Sequence, residues 1–178
     1  VLTPPARLGR PWGAVALEVA GLSVASPIPF GTALRGVSFA VAEGEVFGIA
    51  GVAGNGQDEL LLALSGEVPS APDAVRIDGA AVGHLGPDAR RRAGLVAAPE
   101  ERLGHAAAPD MTLLENALLS GAVRQRLVAR GFIDWPAARA FAEGIVRDFD
   151  VRTPGTHVAA RALSGGNLQK FVVGRELA

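Results

Sequence analysis

The stretch VFGIAGVAGNGQDELLLALSG, residues 46–66, decides the fold of the chain. Its first part is apolar without alternation, which is typical of a strand buried on both faces in a parallel sheet. Gly51 and Gly56 then stand at the spacing of a G-x-x-x-x-G loop. The helix formers that follow end at Gly66, a suitable helix C-cap. A glycine turn between a strand and a helix points consecutive N–H groups inward, so we predict an α/β fold with an anion-binding loop.

The loop lacks the lysine and the hydroxyl residue that normally follow its second glycine. Gln57 stands at the lysine position and Asp58 at the serine or threonine position. A lysine-to-phosphate bond contributes about 1.5–3 kcal/mol, of which a neutral amide recovers about half. A carboxylate about 4 Å from a phosphate oxygen repels it by about 4 kcal/mol at an effective dielectric near 20. The loop therefore binds nucleotide weakly through Mg²⁺, with Asp58 as the candidate metal ligand, or it is a plain turn that binds none.

A second glycine motif, LSGGN, occupies residues 163–167. It resembles the signature of ATP-binding-cassette (ABC) proteins, and its distance from the loop suits that family. The segments VALEVAGLSV and VAAPEERLGHAAAPDMTLLENALL resemble the opening strands of the family and the region after its Q-loop. The resemblance covers residues 14–178 and is nearest to the second, C-terminal ATPase half of tandem sugar and nucleoside importers.

The resemblance implies an α/β P-loop NTPase fold of ABC type, with an antiparallel β subdomain, a partial RecA-like core and a helical subdomain. It implies a linker over residues 1–14 from a preceding domain, and a partial nucleotide-binding domain over 15–178 with its helical subdomain at about 104–162. The Walker B strand, with the catalytic acid, would follow the last residue. We therefore expect no catalytic residue in the chain, and no ATP hydrolysis by the chain alone.

The resemblance also assigns site residues, with ATP and Mg²⁺ as cofactors. Those of the chain's own loop are Gly51, Ala53, Gly54, Asn55, Gly56, Gln57 and Asp58. The signature residues, which in the family reach the γ-phosphate held on a partner domain, are Ser164, Gly165, Gly166 and Asn167. Glu100 stands at the Q-loop position, and Phe30 is a loose candidate for the aromatic that stacks on adenine.

Local patterns predict the remaining elements. Residues 15–20 and the alternating Val37, Phe39 and Val41 indicate half-buried strands. Asp78-Gly79 indicates a hairpin turn. The segment GPDARRRAG indicates a short helix, LVAA at 95–98 a short buried strand, and FIDWPAARAFAEGIVRDF a helix with an apolar stripe. Pro109-Asp110 is suited to open a helix, and Ser164 is a good N-cap for the last one.

Composition excludes several classes of protein. The net charge is −1, so no strong field attracts nucleic acid or an anionic surface. The arginine run at 90–92 is interpreted as a solvated helix face rather than a nucleic-acid patch. There is no cysteine, which excludes disulfides and thiolate metal sites, and the three histidines lack metal-ligand spacing. No apolar run approaches the length of a membrane span.

The resemblance implies an ATP-binding subunit of a bacterial importer of a sugar or nucleoside, peripheral on the cytoplasmic face of the cell membrane. Its partners would be an ATPase half, transmembrane permease subunits and, indirectly, an extracytoplasmic binding protein, with no nucleic acid. Two alternatives stay open: a structural half of the ATPase dimer that binds no nucleotide, and a soluble ABC ATPase outside transport. The absence of an N-K-x-D base-reading sequence argues against a GTP switch protein.

Overall fold

The computed structural model describes residues 12–27 and 29–178. The chain divides into two compact units, with the boundary between Gly94 and Leu95. Most of the linker predicted over residues 1–14 lies outside the described residues. At its end the Gly13 N–H donates to the Glu43 carbonyl at 3.2 Å, next to the first strand.

The first unit is built on a four-stranded antiparallel sheet of order β2-β1-β3-β4. The strands are β1 (Val15–Val24), β2 (Leu34–Ala42), β3 (Val75–Ile77) and β4 (Ala80–Ala81). Val19 and Leu22 of β1 are buried, as is Val75, the β3 partner of Val19, and a register shift separates Val19 from Leu22. The two half-buried strands predicted from period-two patterns are therefore confirmed.

The hairpin and the two helices predicted for the first unit are also confirmed. Asp78 and Gly79 join β3 to β4 with φ values of 48° and 79°, as a two-residue turn of type I′ requires. Helix α1 runs over Gln57–Ser65 and α2 over Pro87–Arg92. Gly66 ends α1 at φ 90°, and a Cβ there would lie 2.9 Å from the Leu85 carbonyl oxygen.

The buried parallel strand predicted before the loop is wrong. Residues 46–51 form no strand, and Val46 is 94% and Ile49 52% exposed. The Phe47 ring stacks against the Phe39 ring of β2, with 5.0 Å between the ring centroids. The prediction rested on apolar content alone, whereas burial on both faces needs parallel neighbours, and no strand within residues 12–27 and 29–178 pairs with this segment.

The solvated arginine face predicted for α2 is wrong at Arg90, which is fully buried. Its guanidinium donates to the carbonyls of Ala63, Leu64 (2.8 Å), Gly83 (2.7 Å) and Leu85 (3.0 Å). Two of these acceptors are carbonyls that the C-terminal end of α1 leaves without intrahelical donors. Burial lowers the pKa of Arg90 from its ordinary value, yet five fixed donors make arginine the residue able to satisfy such a cluster.

The second unit is mainly helical, with α3 (Leu113–Arg124), α4 (Trp135–Asp148) and α5 (Gly165–Leu177). A small hairpin of β5 (Val128–Ala129) and β6 (Phe132–Ile133) lies between α3 and α4. The core packs Leu113, Ile145, Leu168 and Phe171 from all three helices. The helices predicted from the stripe at 132–149 and after Ser164 are confirmed. In the described part of the chain, no helix has the length and apolarity needed to cross a bilayer.

Two further boundaries differ from prediction. Helix α3 does not open at Pro109-Asp110, because Thr112 is its N-cap and forms a capping box with Glu115. The Glu115 N–H donates to Thr112 Oγ1 at 3.1 Å, and the Thr112 N–H donates back to Glu115 Oε2 at 2.7 Å. The short strand predicted at 95–98 is absent, since those residues pair with no strand among those described. The helical subdomain expected over about 104–162 lies inside this unit, and its bounds stay a prediction.

Candidate functional site

The glycine loop before α1 has the backbone of an anion cradle. Gly54 and Gly56 have φ values of 86° and 101°, and Gly56 is the N-cap of α1. A Cβ on Gly56 would lie 3.2 Å from Leu34 Cδ2, so close packing as well as conformation requires glycine there. Thr32 Oγ1 donates to the Gly54 carbonyl at 2.7 Å and fixes the rim of the loop. Exposed N–H groups at a helix N-terminus are suited to an anionic group.

The Gln57 side chain fills this loop. Its Nε2 donates to the Val52 carbonyl at 3.1 Å, and its Oε1 accepts from the Asn55 N–H at 3.1 Å. A Cβ on Gly51 would lie 2.6 Å from the same Nε2. A lysine could not make this bridge, because an ammonium has no acceptor. An anion entering the cradle must therefore displace the amide and compete for the Asn55 N–H.

Asp58 lies exposed in the first turn of α1, where the helix dipole favours a carboxylate. The structure thus provides a local reason for the residue other than a metal. Among residues 12–27 and 29–178, no group of three or more His, Cys, Asp or Glu is placed to hold a metal ion. The role of Asp58 as a Mg²⁺ ligand, shared with a nucleotide, stays a prediction.

Glu59 was missed in the sequence, and it organises the rim of the loop. Its buried carboxylate accepts from Ser26 Oγ at 2.8 Å and from the Thr32 N–H at 2.9 Å. The hydrogen bond from Ser26, with those from backbone N–H groups, lowers the pKa of Glu59. Phe30, in the same segment, is fully exposed with φ 63°, and its role at the adenine stays a prediction. No sequence pattern signals Glu59, because its partners lie 33 and 27 residues away.

The signature turn begins α5 and presents its donors outward. Ser164 is the N-cap with extended backbone, but its side chain makes no capping hydrogen bond. The first N–H groups of α5 have no intrahelical acceptor. Ser164, Gly165 and Gly166 are exposed, and a Cβ on Gly166 would meet no heavy atom within 4 Å. Asn167 Nδ2 donates to Ser164 Oγ at 3.0 Å, and Asn167 Oδ1 accepts from the Arg152 N–H at 2.9 Å.

Arg102 is a second residue that the sequence did not single out. Its guanidinium Nη1 lies 3.5 Å from the Gly165 carbonyl oxygen, and a Cβ on Gly165 would lie 3.5–3.8 Å from the guanidinium group. The structure thus places a cation beside the signature turn, where negative charge is already favoured by the dipole of α5. Glu100, in the same unit, is exposed. Its role at the Q-loop position stays a prediction. The sequence offered one hint of Arg102, which is that it stands two residues after Glu100 in the segment PEER.

The two glycine motifs lie in different units, the loop in the first and the signature in the second. A profile of the family described as ABC transporter matches residues 34–178. The chain therefore belongs to the ABC transporter family, and it has the P-loop fold of an ABC ATPase. A solved dimer of the ATP-binding cassette MJ0796, in a post-hydrolysis state bound to ADP and Pi, has the same fold. Its TM-score is 0.67 at 20% identity, over 91% of this chain and 69% of that chain.

Curated relatives of the chain are named as import proteins. A guanosine import ATP-binding protein of Bacillus subtilis is 34% identical over 93% of this chain and 32% of its own length. A ribose import ATP-binding protein of Rubrobacter xylanophilus is 36% identical over 96% of this chain and 33% of its own length. A nucleoside import ATP-binding protein of Lactococcus lactis is 31% identical over 81% and 28%. The chain thus spans about a third of the length of these relatives.

Proposed function

We propose that the chain is the second, C-terminal cassette domain of an ATP-binding subunit that drives import of a sugar or a nucleoside. The names of the relatives support this substrate class, since they include guanosine, nucleoside and ribose importers. Their length supports a subunit with further domains. The linker proposed over residues 1–14 would join this domain, over 15–178, to an ATPase half before it.

The observation that supports a nucleotide-contacting role best is the open signature turn. Ser164 leaves its helix uncapped, both glycines are exposed, and Arg102 adds positive charge beside Gly165. These groups fit the terminal phosphate of an ATP held by another cassette domain. Bound there, ATP would supply the anhydride whose hydrolysis drives transport. The chain's own part is to bind and orient the phosphate with the Ser164 hydroxyl and the N–H groups of residues 165–167.

The chain's own loop fits a phosphate less well. Its N–H cradle is formed, but the Gln57 amide occupies it, and Asp58 adds a negative charge at its edge. We infer that this second site binds ATP weakly and with Mg²⁺, and that turnover depends mainly on the site the signature completes. The subunit would sit on the cytoplasmic face of the bacterial membrane against permease subunits, with an extracytoplasmic binding protein delivering the cargo.

The loop that the Gln57 side chain occupies also favours a second candidate function. In it, the domain never holds nucleotide and serves the dimer only through its signature and packing surfaces. The Gln57 bridge between Val52 and Asn55 favours this candidate, because it satisfies the loop without any ligand. Calorimetry of ATP binding to the domain, with and without Mg²⁺, separates the two: Mg²⁺-dependent heat supports the weak site, and its absence supports the structural role.

The main proposal is tested in the full-length protein by Ser164→Ala. ATP turnover should fall about 10- to 100-fold, the effect of removing a hydrogen bond to a charged group. Ser38→Ala is the matched control, because Ser38 is an exposed serine of β2 whose hydroxyl contacts the backbone of Gly21 and Gly36. Equal turnover in the wild type and the Ser164→Ala variant would refute the assignment of the signature to ATP.

A further inference from the structure

The Asn167 amide lies between two groups and contacts each with a different end. Its Oδ1 is 2.9 Å from the Arg152 backbone N, and its Nδ2 is 3.0 Å from Ser164 Oγ. A backbone N–H can only donate, so the oxygen end must face Arg152. The nitrogen end therefore faces Ser164, because the Arg152 N–H fixes which end of the Asn167 amide is the oxygen.

This orientation fixes the direction of the Ser164 hydroxyl. An amide nitrogen has no lone pair to offer, so Ser164 Oγ must be the acceptor in this pair. The hydroxyl proton then points away from Asn167. The lone pairs of the hydroxyl do not cap the helix either, since the Ser164 side chain makes no capping hydrogen bond. Ser164 is exposed and the surface over Gly166 beside it is open, so an acceptor outside the turn can reach the hydroxyl proton.

A second pair, at the same helix positions in the same unit, has the opposite hydrogen-bond direction between its side chains. Thr112 is the N-cap of α3 and Glu115 its third residue, as Ser164 and Asn167 are for α5. Thr112 Oγ1 donates to Glu115 Oε2 at 2.8 Å and accepts from the Glu115 N–H at 3.1 Å. That hydroxyl is consumed by its own helix. The difference follows from the third residue of each helix. A carboxylate accepts a hydrogen bond from the hydroxyl, whereas an amide nitrogen donates to it and leaves the O–H free to donate elsewhere.

We infer that Asn167 is a positioning residue that commits the Ser164 hydroxyl to donate to an anionic oxygen outside the turn. The inference rests on the proposed function, in which that oxygen belongs to the terminal phosphate of ATP on a neighbouring domain. The Arg152 N–H, in the segment after α4, donates to Asn167 Oδ1 and so holds the amide in this orientation. Asn167 thus acts through Ser164 and need not touch the nucleotide.

The test is Asn167→Asp in the full-length protein. Aspartate keeps an oxygen for the Arg152 N–H but replaces the donor toward Ser164 with an acceptor, which captures the hydroxyl proton as Glu115 does. We expect the affinity for a non-hydrolysable ATP analogue and kcat/KM for ATP to fall about 10- to 100-fold. The melting temperature without nucleotide should stay near that of the wild type. Asn167→Gln, which retains an amide, should restore most of the affinity.

A double-mutant cycle with Ser164→Ala separates this role from simple charge repulsion by the new carboxylate. If Asn167 acts through the hydroxyl, Asn167→Asp should cost much less in the Ser164→Ala background than in the wild type. Equal costs in both backgrounds would overturn the inference while leaving the signature assignment intact. If Ser164→Ala alone changes neither analogue affinity nor turnover, the proposed function fails instead.

Discussion

The two glycine turns of the chain resemble each other in backbone and differ in what their side chains do. Both place small residues before the first turn of a helix. At the loop, Gln57 folds back and accepts from the Asn55 N–H, which also donates to the Val52 carbonyl. At the signature, Asn167 braces the turn from behind and leaves the Ser164 hydroxyl free to donate outward. Whether a glycine turn can bind an anion thus depends on the neighbouring side chains as much as on its glycines.

The helices behind the two turns are also held differently. Arg90 donates to the Ala63 and Leu64 carbonyls at the C-terminal end of α1, so a buried cation meets backbone oxygens there. Arg175 in α5 forms a buried ion pair with Glu176 at 3.0 Å and donates to the Ala106 carbonyl at 2.7 Å. The Glu176 carboxylate also accepts from Ser120 Oγ of α3 at 3.1 Å. The signature helix is therefore tied to its unit through charged groups as well as apolar packing.

The comparison predicts its largest effect for Ser164→Arg in the full-length protein. A long cation at the N-cap of α5 occupies the space over Gly166 and opposes the helix dipole, so transport should be abolished. Uptake of the cargo by cells that depend on this protein is the measurement. Ala140→Arg adds the same side chain at an exposed position of α4 and should leave uptake near normal. Normal uptake by the Ser164→Arg variant would show that the open turn faces no ligand.

A second prediction concerns the helix behind the signature. Arg175→Met removes a buried guanidinium that pairs with Glu176 and donates to the Ala106 carbonyl, so the free energy of unfolding should fall by about 3–5 kcal/mol. Chemical denaturation followed by circular dichroism measures the change. Arg147→Met is the matched control, because its pair with Asp148 at 2.8 Å is exposed on α4 and water screens an exposed ion pair. Similar losses in both variants would mean that the buried pair adds little to the support of α5.

A third prediction concerns the ATP affinity of the loop before α1. Gln57→Lys with Asp58→Ser removes the plug and the repelling charge, so ATP affinity should rise about 10- to 100-fold, as a regained charge-assisted bond implies. Calorimetry with and without Mg²⁺ measures it. Asp88→Ser removes an exposed acid from the first turn of α2, and it controls for the loss of a helix-start charge. Unchanged affinity in the double variant would place the defect in the cradle itself rather than in Gln57 and Asp58.

Elements determined by local chemistry were predictable from the sequence. The Asp78-Gly79 hairpin, the Gly66 end of α1 and the stripe of α4 each follow from a short pattern with one physical cause. The two motifs themselves were found because their glycines and spacing are local as well. Their family could be named for the same reason.

The features that sequence patterns missed depend on distant partners. Arg90 was expected in solvent, yet it is buried because the carbonyls it satisfies lie 26 and 27 residues earlier. Residues 46–51 were expected to be buried, yet apolar content alone supplies no neighbouring strand. The Gln57 plug was missed for a different reason. Its bonds are local, but a glutamine was weighed only as a substitute for lysine, and its acceptor oxygen was not considered.

The smallest predicted effect tests how the signature side is supported in acid. Helix α3 holds the segment before the signature, since the Leu113 N–H donates to the Val158 carbonyl at 3.0 Å. The N–H and hydroxyl of Thr112 lower the pKa of Glu115 from its usual 4.5. A lowered carboxylate pKa stabilises the folded state above the unfolded pKa, and this contribution is lost as pH falls through the folded pKa. The free energy of unfolding should therefore decline below pH 4.5.

Glu115→Gln removes this titration while keeping an oxygen for the Thr112 N–H. The variant should therefore lose less stability than the wild type as pH is lowered, although the Lys170 bond that lowers the pKa of Asp150 leaves both proteins some acid sensitivity. Denaturant titrations at a series of pH values give the two slopes. Glu143→Gln, on the exposed side of α4, should follow the wild-type curve. Parallel curves for the wild type and Glu115→Gln would show that the capping box contributes no pH-dependent support, and that the signature turn rests on the buried pair and the apolar core.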